Sequence, residues 1–245
     1  MMRAKITLSY DGSVFNGFQI QKDEKKSKRS VVGIITDAFE TLNINTKIVG
    51  SGRTDTLVHA MHQVIHVDLP RFWKDTQQLQ ISLNKLVHPH IHIQKIEYAE
   101  SSFHARFSAK RRLYRYFFYD GTYQPMLANY ALHVEPLDVK ELNAYAKLFV
   151  GKHNFEFFKK QDGGNTKNER EIFRAGAYRH QNFIIVYFEG DAFLRSQVRM
   201  MCDFLLKMAS NKFSPSDLQK QLGREHKIST KVCPACGLYL SRVYY

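Results

Sequence analysis

Long apolar runs are missing from this sequence. None approaches the roughly 20 residues needed to span a bilayer, so no membrane-embedded protein is expected. The opening MMRAKITLSY alternates like a short strand and has no apolar h-region, so no secretory leader is read there and the cytoplasm is the expected compartment. Cysteine is scarce: Cys202, Cys233 and Cys236 are too few for a disulfide framework. Acidic residues are outnumbered, 23 Asp and Glu against 36 Lys and Arg, which leaves a formal charge of +13 over 245 residues. Such an excess suits a polyanionic partner, because each phosphate neutralised releases counterions. With 44% hydrophobic and 24% charged residues, the chain has the composition of a folded globular protein. Its length allows one large domain or two small ones.

Phosphate-binding loops are missing too. GSVFNGFQ (12–19) spaces Gly12 and Gly17 as a phosphate loop does, but Phe18 and Gln19 stand where Lys and Ser or Thr are required. GSGRTD (50–55) starts like a dinucleotide turn, yet its last glycine is replaced by Asp55. The strand-like VIHVDL then follows where a long helix should begin. Neither ATP nor NAD is expected. Metal patterns are incomplete. CPAC (233–236) is half a zinc site with no second C-x-x-C, and His226 is the nearest further ligand, at an unusual spacing. His88, His90 and His92 in VHPHIHIQ would share one face of a strand, but no carboxylate recurs in that register.

What is present is an alternation of strand and helix signals. AKITLSY places Ile6, Leu8 and Tyr10 on one face. SVVGIITDAFETLN carries Val31, Ile35, Ala38 and Leu42 at helical spacing, with Ser30 as N-cap. VIHVDL buries Ile65, Val67 and Leu69; a helix over TQQLQISLNKLV and a strand over IHIQKIEYAE follow. RRLYRYFFY is a strand with Tyr114, Tyr116 and Phe118 on one face. Asp138 and Glu141 cap a helix lined by Leu142, Tyr145, Ala146 and Phe149. NFIIVYF is apolar on both faces and reads as a central strand. RSQVRMMCDFLLKMAS buries Val198, Met201, Leu205 and Met208. Ser214, Pro215 and Asp217 start a further helix, and LYLSRVYY is a strand. The expected class is α+β, in two similar halves, 1–103 and 104–245. KDEKKSKR (22–29) reads as a solvated or RNA-touching loop, and KKQDGGNTKNER (159–170) as a mobile one.

Three stretches can carry chemistry. An Asp on a glycine-sprung turn can project as nucleophile or base; Asp55 is such a residue, with Arg53 and His59 beside it, although such an Asp can equally bind backbone N–H groups. FHARFSAKRRLYRYFF (103–118) interleaves Arg106, Lys110, Arg111, Arg112 and Arg115 with Phe103, Phe107, Tyr114 and Tyr116, which suits phosphates and unpaired bases. A half-buried strand with a charged edge looks the same. In GDAFLRSQVRMM, Arg195 and Arg199 lie together beside an apolar helical stripe. There an arginine either pairs with a carboxylate or snorkels to solvent.

Together these stretches resemble the tRNA pseudouridine synthase A family over nearly the whole chain. YDGSVFNGFQIQ (10–21), SGRTDTLVHA (51–60), FHARFSAKRRLYRY (103–116), GKHNFEFF (151–158), GDAFLRSQVRMM (190–201) and CPACGLYLSRVYY (233–245) match its motifs in family order. The resemblance implies a pseudouridine synthase fold whose halves share a central, mostly antiparallel sheet flanked by helices, in a homodimer acting on tRNA without a cofactor. It implies isomerisation of uridine to pseudouridine in the anticodon stem-loop, at positions 38 to 40. Asp55 matches the catalytic aspartate, Tyr114 the residue that stacks on the flipped uracil, and Arg199 the arginine paired with the aspartate. Arg53, His59, Arg106, Arg111, Arg112, Tyr116 and Arg195 are the expected substrate contacts. The family has A-P-x-x-G-L-x-L where CPACGLYL stands, which argues against zinc there. One departure stands out: Leu57 occupies the glycine position of the family's T-D-x-G-V-H-A. If that position requires a positive φ, leucine is strained there, and an RNA-binding homologue without chemistry is the alternative reading. A metal-dependent nuclease would need clustered carboxylates, and Asp55 has none nearby in sequence.

Overall fold

The computed structural model describes residues 1–20, 29–160 and 167–245. The basic stretch at 22–28 and residues 161–166 of the second loop lie outside the described residues. The chain forms two compact units, Met1–Lys110 with Tyr239–Tyr245, and Arg111–Leu238. The division therefore falls at 110/111, where the sequence suggested 103/104, and the strand near residue 240 returns to the first unit. The reason is local. Residues 99–108 fold back on that unit: the Ala105 N–H donates to His66 Nδ1 at 3.0 Å, the Tyr245 hydroxyl donates to the Ala105 carbonyl at 2.8 Å, and Arg3 donates to the Phe103 carbonyl at 2.7 Å.

In the first unit, β1 (Met2–Tyr10) lies between β3 (His59–Leu69) and β4 (Ile91–Tyr98), antiparallel to both. The other edge of β3 takes β2 (Val49–Gly50) antiparallel and β10 (Leu238–Tyr244) parallel, with Tyr239 opposite His59. Alternation buries Ile6, Leu8 and Tyr10 as expected. Helix α1 (Val31–Thr41) buries Val31, Ile35, Ala38 and Phe39, and the Ser30 hydroxyl caps it by accepting the Gly33 N–H. Leu42 is the C-cap and only half-buried. Helix α2 (Thr76–Val87) buries Leu79, Leu83 and Val87, each worth about 1.5–3 kcal/mol on burial. β4 starts at Ile91, so the shared strand face expected for His88, His90 and His92 does not form. His88 is the C-cap of α2, and His90 lies in the turn before β4.

In the second unit the strands β5 (Arg111–Tyr119), β9 (Phe183–Gly190), β8 (Glu169–His180) and β7 (Gly151–Asn154) lie side by side, each antiparallel to the next. β6 (Leu132–His133) adds in parallel to β5. β9 has a strand on either side, as its continuous apolar run predicts. Helices α3 (Val139–Lys147), α4 (Gln197–Ala209) and α5 (Pro215–Leu222) complete the unit. Its core is aromatic: Phe158 packs at 5.5 Å from Phe149 and 5.6 Å from Phe204, and Phe149 meets Phe188 edge-on at 5.8 Å. Each such pair contributes about 0.5–1.5 kcal/mol beyond its buried area. α4 buries Val198, Met201, Leu205 and Met208, and also Met200 and Phe204, so its apolar face is wider than the expected stripe. Ser214 and Asp217 close a reciprocal capping box on α5. On α3, Asp138 caps the helix, but the Glu141 carboxylate accepts from the Tyr145 hydroxyl and does not reach back to the cap.

Each unit is thus α+β, a mostly antiparallel sheet flanked by helices, which is the expected class. No helix among the described residues is long and apolar enough to cross a membrane.

Candidate active-site residues

Asp55 opens a tight turn. Its carbonyl accepts the Val58 N–H at 3.2 Å, while its side chain and that of Arg53 are exposed. Leu57, third in the turn, has a φ of +67°. A third turn residue with positive φ is one that glycine suits best, and a left-handed leucine costs about 1–2 kcal/mol. The loop therefore keeps the left-handed path and carries the strain.

The turn is held by the segment that resembled a phosphate loop. The Tyr10 hydroxyl meets Thr54 Oγ1 at 2.7 Å, and the Phe18 N–H donates to the Thr54 carbonyl at 3.1 Å. A Cβ on Gly12 would stand 2.1 Å from the Val58 carbonyl oxygen, so only glycine lets these two backbones approach. Gly17, at φ +94°, leaves room in the same way for the Thr54 carbonyl. Behind the turn, Ser51 donates to Gln63 Oε1 at 2.6 Å, and the Gln63 amide donates to the Gly52 carbonyl at 3.1 Å. Gly12 and Gly17 thus seat the Asp55 turn.

His59 is 2% exposed. Its Nδ1 accepts the Gly12 N–H at 3.0 Å, and its ring stacks on Tyr239 at 4.5 Å. Asp11 Oδ1 lies 3.3 Å from the same Nδ1. The expected substrate contact from His59 is corrected: this ring ties the 10–18 segment to the turn and presents no face to a ligand. Arg106, also in the first unit, is exposed on the 103–108 loop.

In the second unit Tyr114 stands on β5, 9% exposed and edge-on to Phe193 at 5.1 Å. Arg199 lies in the first turn of α4. Its Nε donates to the Cys233 carbonyl at 2.8 Å, and its own carbonyl accepts the Cys233 N–H at 3.2 Å. The CPAC segment is therefore the support of this arginine. Burial raises the Cys202, Cys233 and Cys236 thiols above their ordinary range. Among the described residues no group of three His, Cys, Asp or Glu side chains is placed to hold a metal.

The remaining expected contacts divide by burial. Tyr116 is fully buried, its hydroxyl donating to the Pro234 carbonyl at 2.7 Å, so it supports the CPAC segment and the expected substrate contact is corrected. Arg112 is 8% exposed and donates to the Asp191 carbonyl at 2.7 Å, which ties β5 to the loop before α4. Arg111 is half-exposed and held by Glu189, which Arg174 also binds; the Glu189 side chain is wholly buried. Arg195 is exposed. Sequence reasoning passed over Tyr10, Thr54 and Glu189. The first two sat beside motifs that were read for their glycines; Glu189 looked like a strand end, and only its place between two arginines reveals it.

The family model described as tRNA pseudouridine synthase matches residues 6–108 and 145–245. The chain belongs to the tRNA pseudouridine synthase family. It is 37% identical over 245 residues to a tRNA pseudouridine synthase A of Campylobacter jejuni subsp. doylei, covering 100% of both chains. It is 38% identical over 247 residues to that of Helicobacter pylori, covering 98% of each, and 34% identical over 250 residues to that of Limosilactobacillus reuteri, covering 100% of this chain and 97% of the relative. The Asp55 turn lies in the matched part of the chain. The SGRTD stretch that carries it is seated by the YDGSVFNGF stretch, and both lie inside the first matched segment.

Proposed function

We propose that this protein isomerises uridine to pseudouridine in the anticodon stem-loop of tRNA, with Asp55 as its catalytic carboxylate. The N1–C1′ bond breaks, the uracil turns, and a C5–C1′ bond forms; the C5 hydrogen leaves as a proton and N1 gains one, so nothing is oxidised and no group is donated. The supporting observation is the exposed Asp55 on a turn whose two flanks are pinned, in a chain of this family. A fixed carboxylate meets the substrate already oriented, which is where much of an enzymatic rate originates.

Tyr114 supplies the ring on which the extruded uracil stacks and is suited to accept the C5 proton. Extrusion costs a few kcal/mol, which stacking partly offsets. We assign Arg199, anchored by Cys233, the role of the arginine that the resemblance pairs with the catalytic aspartate. Arg53, Arg106 and Arg195, exposed, and Arg111, half-exposed, serve the tRNA backbone, in keeping with the +13 charge. We propose further that the protein acts as a homodimer in the cytoplasm and needs no cofactor. The alternative, an RNA-binding homologue without chemistry, rested on Leu57; the backbone there retains the left-handed conformation that glycine would adopt, which favours the active reading.

The test uses unmodified tRNA carrying tritium at uridine C5. Wild type releases tritium, while Asp55→Ala and Asp55→Asn release none and still bind the tRNA within about threefold of wild type. Tritium release by either variant sinks the assignment of Asp55, and none from wild type sinks the activity.

A further inference from the structure

Four aromatic residues interleave with basic ones between residues 103 and 116, and the structure treats them differently. Phe103 packs on Tyr245 at 5.0 Å, Tyr114 is 9% exposed and Tyr116 is buried. Phe107 alone points outward, 77% exposed. An exposed phenylalanine by itself is ordinary; what distinguishes this one is how firmly its loop is built. His104 Nδ1 accepts both the Arg106 and the Phe107 N–H at 3.2 Å, and the Ser108 N–H closes on the His104 carbonyl at 2.8 Å. The Ser108 hydroxyl in turn accepts the His104 N–H at 3.0 Å. Ala105, fully buried, is stapled to His66 and to Tyr245. The His104 ring lies under that of Phe107, 4.3 Å away and 27° from parallel. The backbone and one face of the ring are thus fixed, and most of the ring is left to solvent.

We propose that Phe107 is a stacking platform for an unpaired base of the RNA substrate, distinct from the target uridine. The proposal rests on the reading of the substrate as tRNA. A preorganised ring loses little freedom on binding, and base–aromatic stacking tolerates any base because every base has a π-face. The surroundings favour RNA over another protein surface. Arg106 places its guanidinium carbon 5.9 Å from the Phe107 centroid, Lys110 is exposed, and residues 103–110 hold no acid. Phosphates on either side of a stacked base would meet cations there.

The experiment measures the Kd of unmodified tRNA at two salt concentrations for wild type, Phe107→Ala, Phe107→Tyr and Arg106→Gln, alongside tritium release and sedimentation mass. Because the ring is exposed, the alanine variant folds as wild type, and its melting temperature checks this. Phe107→Ala weakens binding about tenfold at both salts, since stacking releases no counterions. Phe107→Tyr retains wild-type affinity, and Arg106→Gln lowers the salt dependence. A Kd for Phe107→Ala within twofold of wild type overturns the proposal. So does a fall in its sedimentation mass, which would assign the ring to a contact between copies. Wild type that binds tRNA but releases no tritium defeats the proposed activity and leaves the Phe107 comparison to be read from binding alone.

Discussion

The phenol of Tyr10 meets the hydroxyl of Thr54 at 2.7 Å, one residue before Asp55, and both residues are buried. The pair fixes where the Asp55 backbone starts, so its loss should move the carboxylate without touching the RNA surface. Tyr10→Phe is expected to lower single-turnover tritium release about tenfold, leave tRNA affinity unchanged and cost about 1 kcal/mol of stability. An equal loss of affinity and rate would show that Tyr10 acts on binding instead.

Leu57 stores strain that glycine would relieve. Leu57→Gly is expected to stabilise the protein by about 1 kcal/mol, the left-handed cost less the added freedom of the unfolded chain. In a chain of this size that corresponds to about 2–4 °C in Tm. Activity should equal or exceed wild type. A lowered Tm would mean that the leucine side chain contributes packing worth more than the strain.

His66 makes the loop carrying Arg106 and Phe107 sensitive to acid. Burial, then the nearby Arg3 and His104, push His66 down to about 4, against a small opposing pull from Asp68. Its unprotonated Nδ1 accepts the Ala105 N–H. The folded value lies below the unfolded one of about 6.5, so the native state binds fewer protons over that interval. This stability is fully present above about pH 6.5 and is lost as pH falls toward 4. Urea midpoints at pH 7 and pH 4.5 should reveal a loss of about 2 kcal/mol in wild type that is largely absent in His66→Asn, whose amide oxygen can still accept. Parallel pH profiles for the two would refute it.

Arg199 donates from Nε to the Cys233 carbonyl, a contact that lysine cannot reproduce with its ammonium still placed at the guanidinium position. Arg199→Lys keeps the charge and is expected to lose about 100-fold in kcat, with KM within threefold. Cys233→Ser keeps that carbonyl and should retain most of the activity; if it fell as far as Arg199→Lys, the thiol would matter in its own right.

Much of this was legible in the sequence, and what was not has physical causes. α2 runs from Thr76 to Val87 as its apolar spacing required, and β9 is flanked on both sides as its unbroken apolar run required. Tyr114 and Tyr116 could not be told apart, because alternation puts both on one face of β5. The difference is made by Gly237 and Pro234, which lie against Tyr116 from more than a hundred residues away. His59 read as a substrate contact beside Asp55, and nothing local announced that the Gly12 N–H would meet its Nδ1. The three alternating histidines read as one face only while Ile91 was not known to begin the strand. Leu57 was the reverse case: the sequence posed the question, and only the backbone angle could answer it.

β10 pairs with β3 only after the whole second unit has been made, because Tyr239–Tyr245 belongs to the first unit. At synthesis rates of roughly 5–20 residues per second, that strand follows Lys110 off the ribosome by on the order of ten seconds. Throughout that interval the nascent first unit presents an open strand edge at His59 and Ala60, where Tyr239 and Leu240 will dock. Such an edge invites pairing with other chains. The order of translation thus sets when His59 acquires the ring of Tyr239 that stacks on it.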